Sequence, residues 1–355
     1  MGGEVCNLVV DWSIALTSLL YSHGVGMFIA QGTTRFLLLL PVICLFLFLP
    51  LNLTTIFFAG PTSFFLSWLG TFKLTLFAFG HGPLSPHPSL PLSHFIATAC
   101  LPIKIIPKDQ ENSKKLTKKS HIDYAPEILL LFVVIKGYGY KDELRIHPLL
   151  TMSCVAYYFL FMLVLFFAVA AFLVRTLLGV KLEPQFDEPQ FATSVQNFWG
   201  KRWNLMVSDT LRGSIYLPAR AVFSHLVPER WVSVPATFVT FLVSGIMHEM
   251  VFYYLGQDEY KPTWEVTWFF VIHGVLVGIE IVMKKTMDLQ KFEPRPIVGI
   301  GLTWILFVGT SFWLFFPPFL RLDPCGRICK ESMAFLRFVK DGHLLNPNEF
   351  ACPFT

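Results

Sequence analysis

Charged positions are missing from long stretches of this chain and crowded into others. Phe36 to Phe72 and Pro148 to Val174 contain no Asp, Glu, Lys or Arg. Roughly 20 consecutive apolar residues cross a bilayer as a helix, so the first run predicts two spans and the second one. The same reading along the whole chain gives about eight transmembrane helices: 9–30, 36–56, 61–80, 125–138, 149–173, 231–256, 264–283 and 297–318. Two polar regions do not span. Residues 81–125 mix prolines, an apolar patch from Phe95 to Ile106 and a Lys-rich run, which reads as a solvated loop touching anionic lipid. Residues 176–230 are amphipathic and aromatic, with too many charges to cross, and predict helices that lie in the interface or dip into it.

Composition strengthens this picture. Only 15% of residues are charged, against about 25% in soluble domains, and the deficit runs along the whole length. The expected fold is therefore all-α and polytopic, with residues 1–355 as a single membrane-embedded domain. The net charge of +4 is small and gives no reason to expect a nucleic-acid partner, but its placement orients the chain. Cytoplasmic loops are enriched in Lys and Arg. Lys104 to Lys119, Arg175 to Arg230 and Lys284 to Arg295 then all face the cytosol together with Arg35, and the acidic N-terminus and the 257–263 loop face the lumen. No basic leader precedes the first span, and Cys6 stands where a myristoylation signal wants Ser or Thr. Cys325, Cys329 and Cys352 form the one local group of cysteines. No His lies near them at zinc-ligand spacing, so no metal is expected, and a lumenal tail would permit a disulfide.

Titratable groups inside spans are costly and mark candidate sites. Asp11, Lys73, His248, Glu249, His273 and Glu280 qualify. Asp11 is close enough to the lumenal surface to stay wet, Lys73 has the reach to snorkel, and Glu280 pairs with Lys284 at i,i+4. His248-Glu249 differs, because it interrupts an otherwise uncharged run from Trp231 to Gln257 with no basic side chain to neutralise it. An imidazole in apolar surroundings stays neutral, the form a general base requires. The bland alternative is a His hydrogen-bonded between helices.

Sharper signatures fail. His248-Glu249 opens like a zinc-protease helix, but Phe252 stands where the second ligand belongs. There is no G-x-S-x-G elbow, no phosphate-binding loop and no H-x-x-x-D. Haem held between His248 and His273 is a weaker reading. The second dense constellation is Asn197-Phe198-Trp199-Gly200-Lys201-Arg202-Trp203-Asn204. On a continuous helix Asn197 and Asn204 would share a face, Trp199 and Trp203 would stack, and Lys201 and Arg202 would supply charge. This is either an interfacial belt or a site for a carbonyl and phosphates.

The segments 197–204 (NFWGKRWN), 244–254 (SGIMHEMVFYY) and 265–274 (EVTWFFVIHG), in this order, resemble the plant wax synthase branch of the membrane-bound O-acyltransferases. The resemblance continues through 68–86 (WLGTFKLTLFAFGHGPLSP), 101–104 (LPIK) and 183–206, so it covers most of the chain. It is less clear over 105–125 and after 320. It implies an intramembrane tunnel, an active-site His at His248 and a partner Asn at Asn204, with 180–285 as the motif-bearing catalytic region. It further implies acyl-CoA as co-substrate with no bound cofactor, a lipid alcohol acceptor and residence in the endoplasmic reticulum membrane. Trp199, Lys201, Arg202, Trp203 and Arg212 are the expected coenzyme A contacts. The acceptor within this group is a fatty alcohol, a sterol or terpenoid alcohol, or diacylglycerol. A carrier using His248 and Glu249 as a proton relay is the competing class. One departure is that the family commonly has an acidic residue where Asn197 stands, which leaves Asn197 without a role as a charge partner.

Overall fold

The computed structural model describes residues 2–85, 90–106, 148–257, 260–286 and 296–341. The chain forms two compact units, Met1–Pro102 with Gln185–Pro353, and Ile103–Pro184. Within the first lie α1 (Gly2–Phe28), α2 (Thr33–Phe48), α3 (Ile56–Thr62), α4 (Thr71–Ala78) and α5 (Leu92–Cys100). The second holds α6 (Pro148–Leu178). The first unit resumes with α7 (Leu205–Leu211), α8 (Leu217–Phe223), α9 (Ser233–Gly256), α10 (Glu265–Thr286), α11 (Pro296–Thr310), α12 (Phe316–Leu320) and α13 (Pro324–Asp341).

Among the described residues, five helices are long and apolar enough to cross a membrane: Gly3–Phe28, Thr33–Asn52, Ser233–Gly256, Glu265–Thr286 and Pro296–Leu320. The expected span at 125–138 lies outside the described residues. That at 149–173 falls within the 31-residue α6, whose side chains are described from 163 onward. In the second unit the ends of the described chain are pinned to each other. Ile105 and Leu182 form an antiparallel bridge, and Lys104 pairs with Glu183 at 3.2 Å.

The span expected at 61–80 is a helix from α3 to α4 joined by a wide π-helical turn, Ser63–Gly70. Protein surrounds it: Phe65 to Gly70, Thr71 and Lys73 are all buried. Lys73 does not snorkel. It is fully buried, and its ammonium donates to the carbonyls of Thr98 at 2.6 Å and Leu101 at 2.7 Å. A donor at the C-terminus of α5 satisfies carbonyls that the helix leaves unpaired. Asp11 is likewise not wet but 1% exposed, accepting from Asn52 Nδ2 at 2.9 Å. Arg35 performs the corresponding task for α1 and α4, donating to the carbonyls of Gly26 at 3.1 Å and Phe77 at 3.2 Å.

Helix N-termini are closed by carboxylates from distant elements. Glu280 accepts from Val195 N at 2.9 Å and Gln196 N at 3.1 Å, while Lys284 stays 3.9 Å from it as the spacing predicts. Glu331, on α13, accepts from Ile56 N at 2.8 Å and Phe57 N at 3.0 Å, at the start of α3. In apolar surroundings such N–H groups have no water to turn to, and the helix dipole favours an anion there. Arg327, on the same helix, donates to the carbonyls of Leu255 at 2.8 Å and Thr54 at 2.7 Å. Thus α13 is tied to the start of α3 and to the end of α9. Cys329 is disulfide-bonded, whereas the Cys325 side chain and Cys352 lie outside what is described.

The antiparallel pair α9 and α10 packs closely, and Gly245 is the reason. A Cβ there would stand 3.0 Å from both the Cα and the carbonyl oxygen of Thr267. Small residues permit such approach between membrane helices, where dispersion and not hydrophobicity drives association.

Candidate active site

The NFWGKRWN segment is not one helix. Ser194 caps a short turn, Val195–Asn197, by accepting from Asn197 N at 3.1 Å. A π-helical turn follows to Arg202, Trp203 is extended (φ −98, ψ 126), and Asn204 is left-handed (φ 40, ψ 63). The expected shared face of Asn197 and Asn204 is therefore broken. Trp203 stacks on Phe198 (5.5 Å, 14°), and Trp199 packs against Phe241, Phe270 and His273 at 5.5–5.9 Å. A left-handed residue is tolerable for Asn, whose short amide bonds locally. Here Oδ1 accepts from Val207 N at 3.3 Å and caps α7. The Nδ2 of Asn204 donates to no described residue.

His248 lies on α9, partly buried. Its Nδ1 is 2.7 Å from the carbonyl oxygen of Ser244, one turn earlier. A carbonyl only accepts, so Nδ1 carries the proton and the neutral ring presents a bare Nε2. The ring is held between aromatic side chains. Phe270 of α10 stacks on it (4.1 Å, 24°), and Trp68 meets it edge-on (4.5 Å, 75°). Trp68 also joins Met206, Val207 and Leu211 of α7 in one apolar cluster, with Met247 and Val251 of α9 packed against it. The helix capped by Asn204 and the helix bearing His248 thus share a core. The indole N–H of Trp68 is buried without a partner.

Glu249 has a different task from its neighbour. It is 3% exposed, and Oε1 accepts from Tyr260 Oη at 2.7 Å and Trp264 N at 3.1 Å. Oε2 faces Thr267 N at 3.4 Å. Glu249 therefore closes the N-terminus of α10, and neither orients His248 nor stands beside it as a relay. Burial, then the adjacent carboxylate, pushes the Tyr260 phenol up from its ordinary range, so it remains a donor. His273 is fully buried, 4.2 Å from Phe269 and 3.4 Å from Thr310 Oγ1, with no ring contact to His248. Among the described residues no group of His, Cys, Asp or Glu could hold a metal.

The expected coenzyme A contacts divide. Lys201 and Arg212 are exposed, Arg212 lying 5.5 Å over Tyr216. Arg202 donates to Asn197 Oδ1 at 2.8 Å and to the carbonyls of Asp187 at 3.0 Å and Glu188 at 3.1 Å, so it staples its own loop. This also gives Asn197 a role, as the acceptor for that staple. Sequence reasoning did not reach Trp68 or the Phe270 stack. Phe270 lies in a recognised segment, but its ring contact is made only by the α9–α10 crossing.

Residues 182–272 match the model of the membrane bound O-acyl transferase family. The match spans the carboxylate-capped turn, Asn204, His248 and Phe270. The chain belongs to this family of membrane-bound O-acyltransferases. Within it, the chain is 43% identical to the long-chain-alcohol O-fatty-acyltransferase of Simmondsia chinensis over 82% of each chain. It is 40% identical to probable long-chain-alcohol O-fatty-acyltransferase 3 of Arabidopsis thaliana over 97% of this chain and 98% of that one. Acyl-CoA–sterol O-acyltransferase 1 of Arabidopsis thaliana is 38% identical over 94% of this chain and 96% of its own length.

Proposed function

We propose that this protein transfers a fatty acyl group from acyl-CoA to a long-chain alcohol, forming a wax ester, with His248 as general base and Asn204 assisting. The observation that carries the reading is the 2.7 Å bond of His248 Nδ1 to the Ser244 carbonyl, which leaves Nε2 as the free acceptor of a neutral ring. Nε2 takes the hydroxyl proton as the alcohol oxygen attacks the thioester carbonyl. The tetrahedral oxyanion then collapses, the C–S bond breaks, and the imidazolium returns the proton to the leaving thiolate. Alcohol and acyl-CoA become ester and free coenzyme A, with no covalent enzyme intermediate. The Nδ2 of Asn204, and the unpaired indole N–H of Trp68, are donors for the developing oxyanion. One such preorganised donor contributes on the order of 3 kcal/mol.

In this reading residues 1–355 form one catalytic domain of about eight spans around a tunnel, set in the endoplasmic reticulum membrane, with residues 180–285 carrying the chemistry. Lys201 and Arg212 meet the coenzyme A phosphates at the cytosolic mouth, and no bound cofactor takes part. The acceptor enters from the bilayer. A sterol or terpenoid alcohol is the second reading, favoured by the 38% identity to a sterol acyltransferase.

The test is ester formation in microsomes from labelled acyl-CoA, offered a long-chain primary alcohol, a sterol or diacylglycerol in turn. Wild type is expected to favour the primary alcohol, and His248→Ala to lose at least about 100-fold in rate, the usual contribution of a positioned base. Equal ester from wild type and the variant would overturn the assignment.

A further inference from the structure

Proton abstraction turns His248 into a cation inside an apolar site, and among the described residues no carboxylate is bonded to it. Triad enzymes place a carboxylate behind the imidazole for this moment. Here the position behind Nδ1 is filled by the neutral Ser244 carbonyl. The carboxylate next in sequence, Glu249, is committed to Tyr260 and the start of α10. Lys73 faces the carbonyls of Thr98 and Leu101, and His273 faces Thr310. What the imidazole ring meets is aromatic: Phe270 stacked on it at 4.1 Å and 24°, with Trp68 nearly perpendicular at 4.5 Å.

An aromatic face carries negative charge density, so it attracts a cation held within about 6 Å, most strongly where water is excluded. Against a neutral imidazole the same stack supplies only dispersion. The contact therefore strengthens as the proton arrives, which is the requirement for lowering a barrier instead of merely binding. Resting on the acyl-transfer reading above, we infer that Phe270 stabilises the His248 imidazolium formed during that transfer, in the role that a carboxylate has in a triad. Phe270 is a positioning residue acting through His248. Trp68, edge-on at 4.5 Å, and the Ser244 carbonyl keep the imidazole plane against it.

Mono-, di- and trifluorinated phenylalanine introduced at position 270 of the full chain withdraw charge from the ring face while barely changing its shape. Phenylalanine restored by the same suppression route is the control, and microsomal single-turnover ester formation is the readout. The rate is expected to fall with each added fluorine, on the order of tenfold across the series, at unchanged KM for acyl-CoA. A flat rate, or a rising KM with a flat rate, would overturn the inference, because packing or substrate contact would then be the whole role of the ring. His248→Ala, run alongside, separates the two ideas. If it still forms ester, the base assignment has failed. If it is inactive while the fluorinated series is flat, only the role of Phe270 has.

Discussion

The cationic side chains of the motif segment differ in exposure and bonding. Lys201 and Arg212 are exposed, whereas Arg202 is bonded to Asn197 Oδ1 and to the Asp187 and Glu188 carbonyls. Lys201→Ala and Arg212→Ala are expected to raise the KM for acyl-CoA by up to about tenfold each with little change in turnover, as loss of a charge-assisted phosphate contact would. Arg202→Ala should instead lower thermal stability by roughly 1–2 kcal/mol through its freed loop carbonyls. Titration of acyl-CoA, with a thermal-shift measurement on each variant, distinguishes the outcomes. The sequence separates these cations poorly, since Lys201 and Arg202 are adjacent and both look interfacial. His248 and Asn204 stand out in the sequence because they sit in recognisable segments, and their catalytic role is the proposal made above. The role of Glu249 stays open in the sequence: a turn of about 100° per residue argues against a direct bond to His248 but does not point to Tyr260, Trp264 and Thr267.

Carboxylates that close helix ends govern the next level. Glu249→Ala would leave the Tyr260 hydroxyl and the Trp264 and Thr267 N–H groups without their acceptor at the start of α10. Several kcal/mol of stability should go with it, at about 1–3 per buried unpaired group. The folded fraction should retain most of its turnover, since the His248 ring touches none of these atoms. Melting in detergent beside turnover per folded molecule checks this, and a large loss of turnover at full folding would return Glu249 to the chemistry. Helix existence was readable from the uncharged runs. The break at Trp203–Asn204 was not, because Gly200 lies three residues ahead of it and only the tolerance of Asn for left-handed backbone hints at its place. Nor does hydropathy distinguish a lipid-facing helix from one enclosed by protein, which is why the buried Lys73 was expected to reach for water.

Taken whole, the first unit is closed by the element that the sequence pattern hid best. The charges of α13 made the region after 320 look like a tail, yet Glu331 and Arg327 are its anchors. Glu331→Ala should free α13 for limited proteolysis and lower the melting temperature, while the His248 site stays competent at low temperature. Uncut α13 in that variant would show that Arg327 suffices. The same anchor has a consequence for biosynthesis. The N–H of Ile56 finds its partner 275 residues later in the chain. At roughly 5–20 residues per second of translation, the start of α3 stays uncapped for on the order of 10–60 s after it is made. A chain stopped before α13 therefore lacks the carboxylate that accepts from Ile56 and Phe57 and the guanidinium that bonds the Leu255 and Thr54 carbonyls, and keeps those backbone groups exposed for as long as it lasts.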